Sequence, residues 1–404
     1  MKRTKIAAID VGTTKICTIM ADVDDGAGLR IIGVGVAPSQ GLQKGLVVNV
    51  NEAKQSIRES VRKAEQTAGY KLESAYVGVT GRHVSSMNNR GVIAITRNDR
   101  LVRPEDLKRV LDVAQTTKVL SERKLLHVIP RTYAVDGQEG VKNPVGMHGF
   151  RLDVEAHIIT AAVSSVQNLT KCIRGIGIDI DDLVLEPLAS GEAVLTEEER
   201  QNGVILADIG GGTTDIAVFK DDSIYHTSIL PVAGYQISRD IAIGLGLSFD
   251  LAEEVKKKYG NVMPSEEKGS SSGSDRTITE NGHSIFYRDL TDIIRIRVEE
   301  LLRLVILELP RTDYAKLVPS GLVICGGTAN LPGIVELAEG VTRLPVRIGT
   351  PTNLAGVADI LCDPAYATSV GLLLWKSRNE GVQRLLTKRG GLLGFMSRVF
   401  RLFR

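Results

Sequence analysis

Residues Lys5–Met20 read KIAAIDVGTTKICTIM, and Gly203–Phe219 read GVILADIGGGTTDIAVF. Each stretch is an apolar, β-rich run, then Asp-x-Gly, then Thr-Thr, then a second apolar run. That pattern predicts a β-hairpin whose tip carries an acid, glycines and hydroxyls. Gly12, Gly210, Gly211 and Gly212 let the backbone approach a ligand closely, and the freed N–H groups make a nest for anions. Thr13, Thr14, Thr213 and Thr214 add hydroxyl donors, and Lys15 stands where an amine could meet a β- or γ-phosphate. Asp10 and Asp208 would repel a phosphate directly. They suit the holding of a hydrated Mg2+ that bridges phosphate to carboxylate. One such loop is an ordinary turn. Two related loops, one in each half of the chain, predict two homologous lobes clamping one nucleotide.

A third glycine loop, LVICGGTANLPG, ends at Gly333. Val323-Ile324-Cys325 reads as a buried strand, Gly326-Gly327-Thr328 as the turn, and the segment after Pro332 as a helix start. Such a turn places backbone against an adenosine and its α-phosphate.

With these loops in this order, the chain resembles the actin/Hsp70/sugar-kinase ATPase superfamily. The resemblance implies an α/β, bilobed actin-like fold of two RNase H-like lobes that binds ATP and Mg2+. It makes LEPLASGEAV, from Leu185, the first connecting helix, with Glu186 near an attacking water and Asp215 the other catalytic candidate. It makes AYATSVGLLLW, ending at Trp375, the second connecting helix. There Ala365, Ala367, Ser369 and Gly371 would let two helices pack closely. In DLAEEVKKKYG, from Asp250, Glu253 and Lys256 are three apart and share a helix face. The resemblance implies that they contact adenosine, together with Gly234; the charge pattern alone fits a solvated ion pair equally well.

The position of the insertions narrows the family. After the strand LRIIGVGVAP and the loop SQGLQKGLVVN, a helix begins almost at once (NEAKQSIRESVRKAEQTAGY). Actin, MreB and Hsp70 place a subdomain there; this chain has no room for one. The extra residues come later, from His83 to about Ser165, with β-rich runs and one helix starting RPEDLKRVLDVAQ, Pro104 at its first position. An α+β subdomain inserted late in the first lobe is the feature of the FtsA family and of the related PilM, and VTGRHVSSMNNRGVIAI is similar to FtsA members at that junction. The expected layout is a first-lobe core over 1–82 and 166–202, the insert over 83–165, a second-lobe core over 203–247 and 310–375, and its small subdomain over 248–309. A linker over 376–391 and an amphipathic helix over 392–404 follow. Within the small subdomain, the Ser/Gly-rich stretch near 268–275 reads as a flexible loop, and DLTDIIRIRVEELLRLVILELP as a long helix.

The chain ends GGLLGFMSRVFRLFR, with Phe395, Phe400 and Phe403 among only seven Phe. At 100° per residue, Leu393, Phe395, Met396, Val399, Phe400, Leu402 and Phe403 all fall within about 100° of Leu392. Ser397, Arg398, Arg401, Arg404 and Gly394 occupy the opposite arc. The helix would be about 20 Å long, too short for a bilayer core of roughly 30 Å. It can lie in the interface, with Arg398 and Arg401 near anionic headgroups. Each basic residue there contributes on the order of 1 kcal/mol.

The remaining composition excludes other classes. A formal net charge of +2 with mixed signs gives nothing that points to nucleic acid. Cys17, Cys172, Cys325 and Cys362 are scattered without CxxC spacing, and read as small buried hydrophobes in a reducing compartment. No secretory h-region and no spanning helix fit, so the body is expected to be cytoplasmic.

Resemblance to the FtsA family implies a cell-division protein that polymerises head to tail. It also implies binding of the FtsZ C-terminal peptide on the second lobe's small subdomain, and FtsZ tethered to the cytoplasmic face of the membrane at the septum, with other divisome proteins as further partners. ATP would act first as a ligand and at most as a slowly hydrolysed substrate. A PilM-like pilus-assembly adaptor and a sugar kinase are the alternatives.

Overall fold

In a computed structural model, described for residues 4–24, 28–115, 121–263, 276–310, 314–352 and 354–375, the chain builds two sheets of one design. In the first, Thr4–Val11 and Lys15–Asp24 form an antiparallel hairpin, and Gly28–Pro38 adds antiparallel to the second arm. Ser74–Val79 then returns parallel to the first arm. In the second, Val204–Ile209, Thr214–Lys220 and Ser223–Leu230 repeat the antiparallel trio, and Leu322–Cys325 returns parallel to its first strand. Both quoted stretches are therefore hairpins, in register such that Asp10 faces Cys17 and Asp208 faces Asp215.

The first hairpin's apolar residues, among them Ile9, Ile16 and Met20, are fully buried against the helix Val50–Ala68. That helix starts where Asn49 accepts the N–H groups of Asn51 and Glu52, and stops at Gly69 in the left-handed region. Only the short hairpin Leu42–Gln43/Leu46–Val47 separates it from the preceding strand. The later block is a four-stranded antiparallel sheet in the order Val84–Ala94, Arg151–Ala162, Arg123–Val135, Gln138–Val141. The helix Pro104–Gln115 covers one face, burying Val110 and Ala114 with Ile93, Leu152 and Val154. Sequence periodicity puts the next helix at Val166; it spans Val163–Arg174, because the last insert strand runs into it without a loop.

The second lobe carries the helices Gly234–Leu245 and Phe249–Tyr259, the hairpin Thr277–Glu280/His283–Phe286 and the helix Tyr287–Leu307. One apolar cluster, including Ile237, Val255, Ile294 and Val298, joins them to the lobe's sheet. The expected Ser/Gly loop near 268–275, the linker and the amphipathic segment 392–404 lie outside the described residues. No helix among the described residues is long and apolar enough to cross a membrane.

Two helical segments join the lobes, Glu186–Val194 and the run over 367–375. They nearly touch: a Cβ on Gly371 would stand 1.8 Å from the Ala189 carbonyl oxygen. The insert makes a third connection, because its sheet docks on the second lobe's strand Ser223–Leu230. Ser86 Oγ donates to the Thr227 carbonyl at 2.9 Å, and Ser223 Oγ to the Pro130 carbonyl at 3.0 Å. Between them, buried His157 holds Asn88 Oδ1 at 2.6 Å through Nδ1 and Thr227 Oγ1 at 2.9 Å through Nε2. Asn88 Oδ1 only accepts, so Nδ1 carries the proton and Nε2 accepts from Thr227. Burial pushes the His157 pKa down to about 3, so the ring is neutral at neutral pH. The cysteine reading needs one correction: Cys17, Cys172 and Cys325 are buried, but Cys362 is exposed, in a short 3-10 turn over Asp359–Cys362.

Since a Cβ on Gly371 would collide with the Ala189 backbone, Gly371→Val should force the connecting segments apart. The expected loss is about 2 kcal/mol or more of unfolding free energy by urea denaturation. Unchanged stability in that variant would mean that the two helices are not tightly packed in solution.

Candidate functional site

The hairpin tips meet across the lobes. A Cβ on Gly212 would stand 2.4 Å from Thr13 Oγ1, and one on Gly211 2.3 Å from Thr14 Cγ2. Glycine is required at both positions because the threonines of the other lobe occupy that space. Thr13 Oγ1 accepts the Gly45 N–H at 3.3 Å, while Thr214 is buried and donates to the Val232 carbonyl at 2.7 Å. Gly12 also sits tightly, its Cβ position 2.8 Å from the Lys15 carbonyl oxygen.

Behind the tips, Asp10, Asp208, Asp215 and Glu186 are all buried. The connecting segments hold the first two: Ser369 Oγ donates to Asp10 at 2.6 Å, and Ser190 Oγ and Thr368 Oγ1 donate to Asp208 at 2.5 and 2.9 Å. Asp215 accepts from Thr80 Oγ1 and, at 3.1 Å, from Thr213 Oγ1. Burial pushes the Asp215 pKa up to about 7, and nearby Asp208 and Asp10 add to the rise. Asp10 is raised by burial first, with Ser369 and Lys15 opposing. Glu186 is raised well above the usual range, by burial and then by Asp10, Asp215 and Asp208. Among the described residues no three or more acids are grouped so as to hold a metal ion directly, so a cation here would be one that keeps its own waters, as Mg2+ does, and it would supply positive charge beside the tips.

Lys15, just past the first tip, reaches across to the second connecting segment. Its Nζ donates to the Ala365 carbonyl at 2.5 Å and lies 3.5 Å from the centre of the Tyr366 ring, and burial lowers its pKa. The first phosphate-loop amine is thus tied to the start of the second connecting segment.

The third loop completes the cleft on the second-lobe side. After the strand Leu322–Cys325, Gly326 sits at φ +82°, where a Cβ would fall 2.5 Å from Asp208 Oδ1. Gly327 opens a 3-10 turn over Gly327–Asn330, with nothing nearer its Cβ position than Ala365 at 3.9 Å. Thr328 Oγ1 and the Gly234 N–H both donate to the Gly210 carbonyl at 3.1 Å, joining the second and third loops. Glu253 and Lys256 face the same corner. Lys256 Nζ lies 2.6 Å from Glu253, 2.8 Å from Ser238 Oγ and 3.2 Å from the Gly234 carbonyl. Burial alone would raise Glu253, but Lys256, Ser238 and Lys257 outweigh it and the net shift is downward. The pair is partly buried and tied to the start of the helix Gly234–Leu245.

The structure brings the glycine loops, the acids and the Glu253–Lys256 pair to one cleft. Sequence reading did not assign Ser190, Thr368 or Thr80 to the site. Ser369 was read only as a small packing residue. The first two sit on predicted helices, and a hydroxyl there every few residues was the one available signal.

Comparison with known proteins gives concordant findings. The family model for cell division protein FtsA matches residues 205–371, and that for the SHS2 domain inserted in FtsA matches residues 81–160. The cell division protein FtsA of Pseudomonas aeruginosa is 41% identical over 374 residues, 92% of this chain and 88% of that one. Among solved structures, a PilM-PilN type IV pilus biogenesis complex superposes with a TM-score of 0.66 at 17% identity, covering 93% of this chain and 99% of that chain. MreB 5 of Spiroplasma citri bound to AMPPNP gives 0.57 at 13%, covering 95% and 99%. At these identities the two structures share the fold and nothing more.

The buried acids predict a pH signature. Because burial raises the Asp215 pKa to about 7 in the folded state, well above the ordinary aspartate value of 3.8, the folded state holds the proton more tightly than the unfolded state. Its contribution to stability is full below the unfolded value and is lost as pH rises towards 7. Without added divalent cation, Asp215→Asn should be more stable than the parent chain at pH 8 and nearly equal to it at pH 4, by urea denaturation. A variant equally destabilised at both pH values would contradict this electrostatic reading.

Proposed function

Because the chain belongs to the FtsA family of cell-division proteins, we propose that it binds ATP·Mg2+ between its lobes, assembles head to tail and tethers FtsZ filaments to the cytoplasmic face of the membrane at the septum. The observation that carries the nucleotide part is the meeting of two glycine-threonine tips over four buried acids. In this reading Gly12, Thr13, Thr14, Lys15 and Gly210–Thr214 cradle the phosphates, and Asp10 and Asp208 hold the hydrated metal. Gly326, Gly327, Thr328, Gly234, Glu253 and Lys256 face the adenosine. Glu186 and Asp215 are the candidates to position a water; their raised pKa values suit a slow hydrolytic role. The nucleotide-bound MreB 5 shares this fold and supports the reading by analogy.

ATP acts mainly by selecting a closed arrangement of the lobes, which a filament contact can then recognise. Membrane binding rests on the sequence of residues 392–404, with Leu392, Leu393, Phe395, Met396, Val399, Phe400, Leu402 and Phe403 on one helical face. A single such helix binds weakly, and a filament multiplies the anchors. FtsZ's C-terminal peptide, in this reading, docks on the small subdomain of the second lobe.

Sedimentation with anionic vesicles tests the proposal, comparing the full chain with a truncation ending at Thr387, each with and without ATP·Mg2+. Only the full chain should pellet, more strongly with nucleotide. Equal pelleting of the truncation would remove the anchor from this reading, and absence of any nucleotide effect would remove the coupling to assembly.

A further inference from the structure

A small internal cavity lies in the first lobe, behind the first phosphate loop. Val11, Gly45, Gly78, Thr80, His83 and Glu186 contribute to its wall, and its volume is about 20 Å³. That exceeds the roughly 10–15 Å³ one water needs, and a buried water also needs two to four polar partners. One polar atom at this wall lacks a partner: His83 Nδ1 is buried without a hydrogen bond. Glu186, only 8% exposed, lies on the same wall. Its Oε1 lies 3.1 Å from the Cβ position of Gly78, a residue of the same wall. Leaving such a buried polar atom unpaired is unfavourable, and a water removes that penalty.

We propose that this cavity binds one water bridging His83 Nδ1 and the Glu186 carboxyl, and that His83 is thereby a positioning residue for Glu186. This rests on the nucleotide reading above only for its effect on hydrolysis; the water site itself does not depend on it. A neutral imidazole and a carboxyl offer the acceptor and donor that one water satisfies together. Desolvation, with Arg123 adding to it, keeps His83 neutral, its pKa near 4.

His83 is also the root of the insert. Its carbonyl accepts Arg123 Nη2 at 3.1 Å and the Ala162 N–H at 3.2 Å, one from each of two insert strands. Thr80, three residues earlier, donates to Asp215. A shift of the insert therefore reaches Glu186 through the bridged water and Asp215 through Thr80. The water site is the joint by which load on the insert would alter the acids of the cleft.

A high-resolution crystal structure of the full chain without nucleotide reads the site directly. We expect an ordered water within about 2.6–3.2 Å of both His83 Nδ1 and a Glu186 oxygen. His83→Asn keeps a polar atom near the place of Nδ1 and should keep the water, whereas His83→Leu should lose it. A dry cavity, a water touching only one partner, or a water undisturbed in His83→Leu overturns the proposal. Should the Leu variant fail to fold, the parent and Asn structures decide alone. In single-turnover ATP hydrolysis, His83→Leu should slow turnover about tenfold or more, with nucleotide affinity held within roughly twofold and most of the rate restored in His83→Asn. Equal loss of affinity and rate in both variants would leave His83 a structural residue only. A chain that binds no ATP would sink the nucleotide reading instead, with the crystallographic water still deciding this one.

Discussion

Four carboxyl groups from both lobes are buried in one place, and burial disfavours the charged form of three of them, Asp10, Asp215 and Glu186. Much else in the structure is arranged around that constraint. Ser369 reaches Asp10, and Ser190 and Thr368 reach Asp208, so each connecting segment supplies hydroxyls to the acids. Those segments come close enough to do so because Gly371 has no side chain to hold Ala189 away. Burying acids together is unfavourable, and the hydroxyl donors of the two connecting segments offset part of that cost.

The two lobes are not equal partners in this. Their hairpins repeat the same geometry, yet the residue opposite the first acid is Cys17 and that opposite the second is Asp215. One lobe therefore brings a single acid at its hairpin and the other brings two. Lys15 belongs to the first lobe and spends its charge on Ala365 and Tyr366, at the mouth of the second connecting segment. The duplication built a symmetric cradle, and point differences at equivalent positions gave its halves different tasks.

Much of this was legible in the chain. Two related glycine-threonine tips marked two equivalent hairpins, and the short span between Pro38 and Val50 excluded a subdomain there. The late insert could be located because its β-rich runs follow the fourth strand and its helix begins at Pro104. What escaped the reading were contacts between residues far apart in sequence. Nothing local marks Thr368 as a partner of Asp208, or Thr227 as a partner of His157, because a hydroxyl on a helix or strand has many bland uses. Cys362 was misjudged for a related reason: cysteine composition predicts burial on average, whereas a short turn at the surface decides its exposure. Lys15 shows the same limit, since its sequence position gave its neighbourhood but not its partner.

The insert enters at Val84 and leaves at Ala162, and those two points are bound through His83, whose carbonyl takes the Ala162 N–H. An excursion of that length whose ends are adjacent asks almost nothing of the sheet that hosts it, because the host chain resumes where it broke off. In evolutionary terms, the lobe could receive such a module as it would receive a tight turn. New surfaces could be gained, exchanged or moved along this ancient frame without redesign of the frame itself.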